Sequence, residues 1–114
     1  MKLKLLLPEK ISTNAIYAGI HWNTRHKQSL LYHRALLPHR TKRIDKEAYP
    51  VDLHFIFTFK KQPLDCSNCT YMVKLLEDGL IEHGIIKDDK PNYVGSITIF
   101  SSKGAEDSVE IHII

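Results

Sequence analysis

Acidic residues are missing from the entire stretch between Lys10 and Ile44. Also missing is any apolar run near the roughly 18 residues that cross a bilayer, which excludes a membrane-spanning helix. Met1–Pro8 is too short an apolar stretch for a signal peptide and has no small-residue cleavage site, so a cytosolic protein is expected. Cysteines number only two, Cys66 and Cys69. There is no second C-x-x-C and no histidine pair at a ligand spacing, so the usual four-ligand zinc pattern is not met. Internal repeats, low-complexity tracts and recognisable linkers are lacking too, which leaves a single domain.

What is present is ordinary for a soluble globular chain. Of 114 residues, 43% are hydrophobic and 25% charged, enough to build a core alone, although a dimer partner would add to it. The net charge of +3 is uninformative; its distribution is not. Lys10, Arg25, Lys27, Arg34, Arg40, Lys42 and Arg43, with four histidines, fill the acid-free stretch, whereas acids dominate from Asp65 onward. A basic half beside an acidic half suits a phosphate-backbone binder with a metal site. It equally suits a solvated basic helix followed by a polar linker.

Lys2–Leu7 alternates Lys2 and Lys4 against Leu3, Leu5 and Leu7, the pattern of a half-buried strand stopped by Pro8. Ser12-Thr13-Asn14 offers turn or capping chemistry. A helix is expected from about His21 to Leu37, with Trp22, Leu30, Leu31 and Leu37 inward, and residues 38–49 read as a basic, mobile loop. Val51–Phe59 is the clearest strand, with Val51, Leu53, Phe55, Phe57 and Phe59 on one face and Asp52, His54 and Thr58 on the other. A second helix is predicted over Ser67–His83, with Met72, Val73, Leu76, Leu80 and Ile81 inward and Gly84 as its stop. Strands over 94–101 and 108–114, separated by Lys103–Asp107, suggest a hairpin. The resulting order β-α-β-α-β-β implies an α+β domain, one mixed sheet with helices packed on it.

The candidate chemistry lies in Asp65-Cys66-Ser67-Asn68, Lys74, Asp78 and Asp88-Asp89. If the carboxylates at the two ends of the second helix meet, they form a hard oxygen site suited to Mg²⁺. Such an ion would polarise a phosphate and lower the pKa of an attacking water, and a nearby lysine would stabilise the developing charge. Each residue also has a plain structural use. Asp65 would cap the helix, Asp88-Asp89 would form a turn, and Lys74 with Asp78 would make an exposed i,i+4 pair.

Taken together these blocks resemble the RusA family of Holliday junction resolvases, whose members carry D-x-D-N, a helix with K-x-x-x-D-x-L, and a D-D pair soon after. The corresponding residues here are Asp65-Cys66-Ser67-Asn68, Lys74 through Asp78 to Leu80, and Asp88-Asp89. Ile16–Arg25 also looks like the opening of phage-type members, as does the final pair of strands. The resemblance implies a homodimeric, Mg²⁺-dependent endonuclease (Mn²⁺ being the alternative ion) that cuts four-way DNA junctions in recombination and repair, in a bacterial or phage-encoded setting. It makes Asp65 and Asp89 metal-binding aspartates, Asp88 their acidic neighbour, Lys74 the helix lysine, and Asp78 a supporting residue.

Two departures stand out. Ser67 occupies the place of the second aspartate of D-x-D-N, so one formal charge is missing; a water bridge from Ser67 or Asn68, a larger share for Asp88, or reduced activity would follow. Lys74 comes three residues later than the family spacing, with Tyr71 in the usual place; that is nearly one helical turn, about 4.5 Å along the axis. Arg25, Lys27, Arg34, Arg40 and Arg43 are the candidate phosphate contacts. Trp22 and Tyr17 read as core or dimer interface, with stacking on an exposed base as the other use. Two further readings compete with the nuclease. One is a branched-DNA-binding protein with an incomplete metal site; the other is a thiol redox or zinc protein built on Cys66 and Cys69, against which stand two reduced structural thiols.

Overall fold

The computed structural model describes residues 1–114. In chain order the elements are β1 (Lys2–Leu6), α1 (Thr13–Tyr17), α2 (Trp22–Ala35), β2 (Val51–Phe59), α3 (Thr70–Glu82), β3 (Val94–Lys103) and β4 (Ser108–Ile113). The domain is α+β with a mixed four-stranded sheet, as expected, but the order is β-α-α-β-α-β-β because Thr13–Tyr17 forms a short helix of its own.

Strand order is β1-β4-β2-β3. β4 runs antiparallel to both β1 and β2, and β3 runs parallel to β2, reached through α3 as a βαβ crossover. The expected hairpin between the last two strands does not form, because β2 lies between them. Instead Lys103–Asp107 carries the chain across the end of β2: the Gly104 N–H donates to the Phe59 carbonyl at 2.9 Å, and Thr58 donates to the Glu106 carbonyl at 3.3 Å. β4 thereby satisfies the open edges of β1 and β2 at once, whereas a hairpin with β3 would leave β2 with an unpaired edge.

Residues paired across the sheet share a face, so the strict alternation in β2 propagates sideways. Leu3, Ile111, Phe55 and Ile99 form one inner row; Leu5, Val109, Phe57 and Ser101 form the next. This face joins Met72, Leu76 and Leu80 of α3, Tyr32 of α2 and Leu36 just after it in one core. The opposite face carries rows such as Lys4, Glu110, Ile56 and Phe100, and Leu6 and Phe100 on it are exposed.

α3 begins at Thr70, after a 3₁₀ turn at Cys66–Cys69, and so starts later than the pattern suggests. Met72, Val73, Leu76 and Leu80 are buried as expected, Ile81 is half-buried, and Leu75, Glu77 and Gly79 are buried as well. Burial on this many sides leaves Thr70, Lys74, Asp78 and Glu82 as one narrow stripe open to water, four residues apart. Thr13 caps the start of α3 from outside: its hydroxyl accepts from the Tyr71 N–H at 3.0 Å and lies 3.1 Å from the Asn68 carbonyl. Gly84, at φ +72°, ends the helix in the left-handed conformation that a side chain disfavours.

α2 turns out of register with its apolar residues. Trp22, Leu30, Leu31 and Leu37 are exposed, and Gln28, Tyr32 and Leu36 face inward. Burying the polar pair is tolerated because each is satisfied: Tyr32 donates to the Glu9 carbonyl, and Gln28 accepts from the Tyr71 hydroxyl at 3.0 Å. A Cβ on Gly79 would lie 2.6 Å from Leu36 Cδ1, so glycine there lets α2 and α3 approach closely. Residues 38–49 are not a free loop. They contain 3₁₀ turns at Leu37–His39 and Lys46–Ala48, and the Ile44 N–H donates to the Ile85 carbonyl at 3.2 Å.

Candidate functional site

After Gly84 the chain is held by burial of Ile85 and Ile86 and by hydrogen bonds from both their N–H groups to the Leu80 carbonyl, at 2.9 and 3.4 Å. That anchoring brings Asp89 back alongside α3. The Lys74 ammonium lies 3.0 Å from Asp78 Oδ1 and 3.7 Å from Asp89 Oδ2. The hydrogen bond with Asp78 is the main reason the Lys74 ammonium is held above its ordinary pKa; burial opposes it, and Asp89 adds to it. Asp88 turns inward on its own loop, accepting from the Asp89 N–H at 2.8 Å, with Lys90 3.8 Å away. The Asp89 N–H accordingly pulls the Asp88 carboxyl below the usual range.

The cluster includes a residue that the motifs do not single out. Glu77 is 7% exposed, and burial raises its carboxyl pKa first, then Asp89; Lys74 opposes both. No protein group hydrogen-bonds its carboxylate. Its signal in the sequence is a charged residue four positions after Val73 and three before Leu80, at apolar-face spacing.

Asp65 is exposed and stands at the other end of the helix, before the 3₁₀ turn. Its side chain caps nothing; its backbone carbonyl accepts from the Asn68 N–H at 2.8 Å. Ser67 is exposed and Asn68 half-buried. No three Asp, Glu, His or Cys side chains come close enough to share an ion. Asp65, Asp88 and Asp89 therefore do not fit a three-carboxylate magnesium site in this chain, and two of them already face lysines.

The cysteines divide. Cys66 is exposed, and its thiol lies 3.3 Å from the Ile99 carbonyl. Cys69 is buried, which pushes its thiol pKa up to about 11. A thiol so strongly protonated is not an activated nucleophile.

Of the candidate phosphate contacts, none forms an ion pair. All five are exposed. Lys27 and Arg34 reach into solvent without a hydrogen-bonded partner. Arg40 donates to the Leu37 carbonyl at 2.9 Å, and Arg43 donates to the carbonyls of Arg40 and Lys42 at 2.6 and 2.7 Å. Arg25 lies over the Tyr71 ring, 5.8 Å from its centroid, so a cation from α2 is brought beside α3.

Comparison with known protein families, curated proteins and solved structures finds no match to this chain.

Proposed function

We propose that this protein is a RusA-type, Mg²⁺-dependent endodeoxyribonuclease that resolves four-way DNA junctions as a homodimer. The observation that supports the reading best is the meeting of Lys74 and Asp89 at 3.7 Å. These residues come from two separate motif blocks, and a merely solvated helix face would not require them to converge. The unpaired cations of α2 supply the charge that a phosphate backbone needs. A magnesium ion would have to be completed by waters and the substrate's own phosphates, since the chain's carboxylates do not gather around one point. The chain's own contribution is a cation, Lys74, placed among carboxylates where negative charge builds up. Two subunits related by a two-fold axis suit paired cuts on opposed strands.

A second reading is favoured by a specific observation. With Ser67 in place of an aspartate and Asp65 apart from Asp89, the chain would bind branched DNA without cutting it. Cleavage of a labelled four-way junction against linear duplex, with Mg²⁺ and with EDTA, separates the two. Paired, metal-dependent cuts that Asp89→Asn abolishes support the nuclease. Tight junction binding without cuts supports the binder, and no preference for branched DNA rejects both.

A further inference from the structure

Trp22 is the single tryptophan of the chain, and it is 68% exposed. Covering an exposed indole is favourable because its apolar surface is large, so the ring is a ready contact for a partner. Its surroundings specify the partner. It opens α2 just after a bend at Gly19, φ +101°, and its ring stacks loosely on His21, 6.0 Å between centroids at 28°. Tyr17, at the end of α1, is 83% exposed. Arg25 and His26 follow Trp22 by three and four positions and so share its helix face. α2 contains no acid in its first turn or anywhere else, and the helix N-terminus adds further positive potential.

We propose that Trp22 is a stacking platform for an unpaired DNA base, flanked by Arg25 and His26 against the adjoining phosphates. This rests on the reading of the protein as a binder of branched DNA and names the element that prefers the branch. A flat aromatic face needs an exposed base face, which single strands and opened junctions present and a continuous duplex offers only at its ends. Charge complementarity selects a polyanion over a second copy of this chain, whose matching face would bring cations against cations. From Trp22 the cationic track continues through Arg25 to Tyr71 and so to α3, the helix that carries Lys74. A strand whose base stacks on Trp22 is thereby led toward the carboxylate cluster.

Because no other tryptophan contributes, emission excited at the red edge, beyond the absorption of the five tyrosines, reports on Trp22 alone. The test titrates the full chain with oligothymidine, with a four-way junction and with a blunt duplex, alongside mobility shifts on the same ligands. Oligothymidine and junction are expected to quench the emission, and the duplex to quench it much less. Trp22→Ala should weaken binding of the first two by about 5- to 150-fold, and Trp22→Phe should restore much of it. Since Trp22 is exposed, both variants keep the wild-type circular dichroism. Binding without quenching, unaltered in Trp22→Ala, overturns the platform and leaves the junction reading standing. Quenching by oligothymidine with no junction preference supports the platform and overturns the junction reading. A protein dimer that Trp22→Ala dissociates, or failure to bind any DNA, overturns the platform.

Discussion

Lys74 on α3 and Asp89 on the following loop stand 3.7 Å apart, with Asp78 completing the contact at 3.0 Å from the same ammonium. All three side chains remain substantially open to water, so the pairs contribute little to stability. Their value lies in holding a cation beside a carboxylate pair. Lys74→Met should change unfolding free energy by no more than about 1 kcal/mol. If Lys74 stabilises charge during strand cleavage, junction cutting should fall on the order of 100-fold. Chemical denaturation and a cleavage time course on the same preparation check both halves.

Glu77 gives a pH signature. Burial raises its carboxyl pKa in the folded chain, so the folded state binds the proton more tightly than the unfolded state does. The resulting penalty on folding is absent below the ordinary carboxylate range, grows as pH rises through the raised value, and is complete above it. Glu77→Gln should therefore melt above wild type near neutral pH, with the gap closing in acid. A gap that widens in acid would show that Glu77 is stabilised as an anion.

On the proposed nuclease reading, Ser67→Asp supplies the acid that the D-x-D-N pattern would have there. Cleavage that appears or rises strongly in this variant marks the wild type as a site short of one ligand. A rate unchanged within about twofold, against the 10²-fold or more typical of an essential charged group, marks the serine as sufficient.

Lys27 and Arg34 have no partner within the chain, so on the proposed DNA-binding reading their neutralisation should register in the salt dependence of binding. Each substitution to glutamine is expected to lower the slope of log affinity against log salt by about one, uniformly across sequences. Titrations at several salt concentrations measure it.

The facing of α2 is testable by stability alone. Tyr32→Ala removes a wholly buried ring and should cost about 3–5 kcal/mol. Leu30→Ala, on the exposed side, should stay within about 0.5 kcal/mol. These expectations are the reverse of what apolarity by itself predicts, and the reason shows where sequence reading works. β2 was legible because its five inner residues face one core and nothing else. α3 was legible because a helix buried on several sides must be apolar on several sides. α2 touches the core through a narrow line only, and two of the three residues on it, Gln28 and Tyr32, carry polar atoms satisfied by distant partners. No local pattern records a bond to Glu9 or Tyr71. The missing hairpin has the same cause: Lys103–Asp107 has turn chemistry whether the next strand pairs with β3 or passes beyond β2. In the site, the Lys74–Asp78 pair was readable as i,i+4 spacing. The arrival of Asp89 and the burial of Glu77 depend on how Ile85 and Ile86 fold back, which only packing decides.

The position of β4 governs how the chain can be assembled on a ribosome. The strand that comes latest in chain order takes an interior place, between β1 and β2. Until it is synthesised, the partners it will join are both incomplete, and two hydrogen-bonding edges wait with apolar inner faces beside them. The nascent chain can form α2, α3 and the β2–β3 pair, yet it cannot close its sheet. Closure of the sheet thus waits until β4 is available, and the growing chain is most exposed to sticking to its neighbours just before that moment.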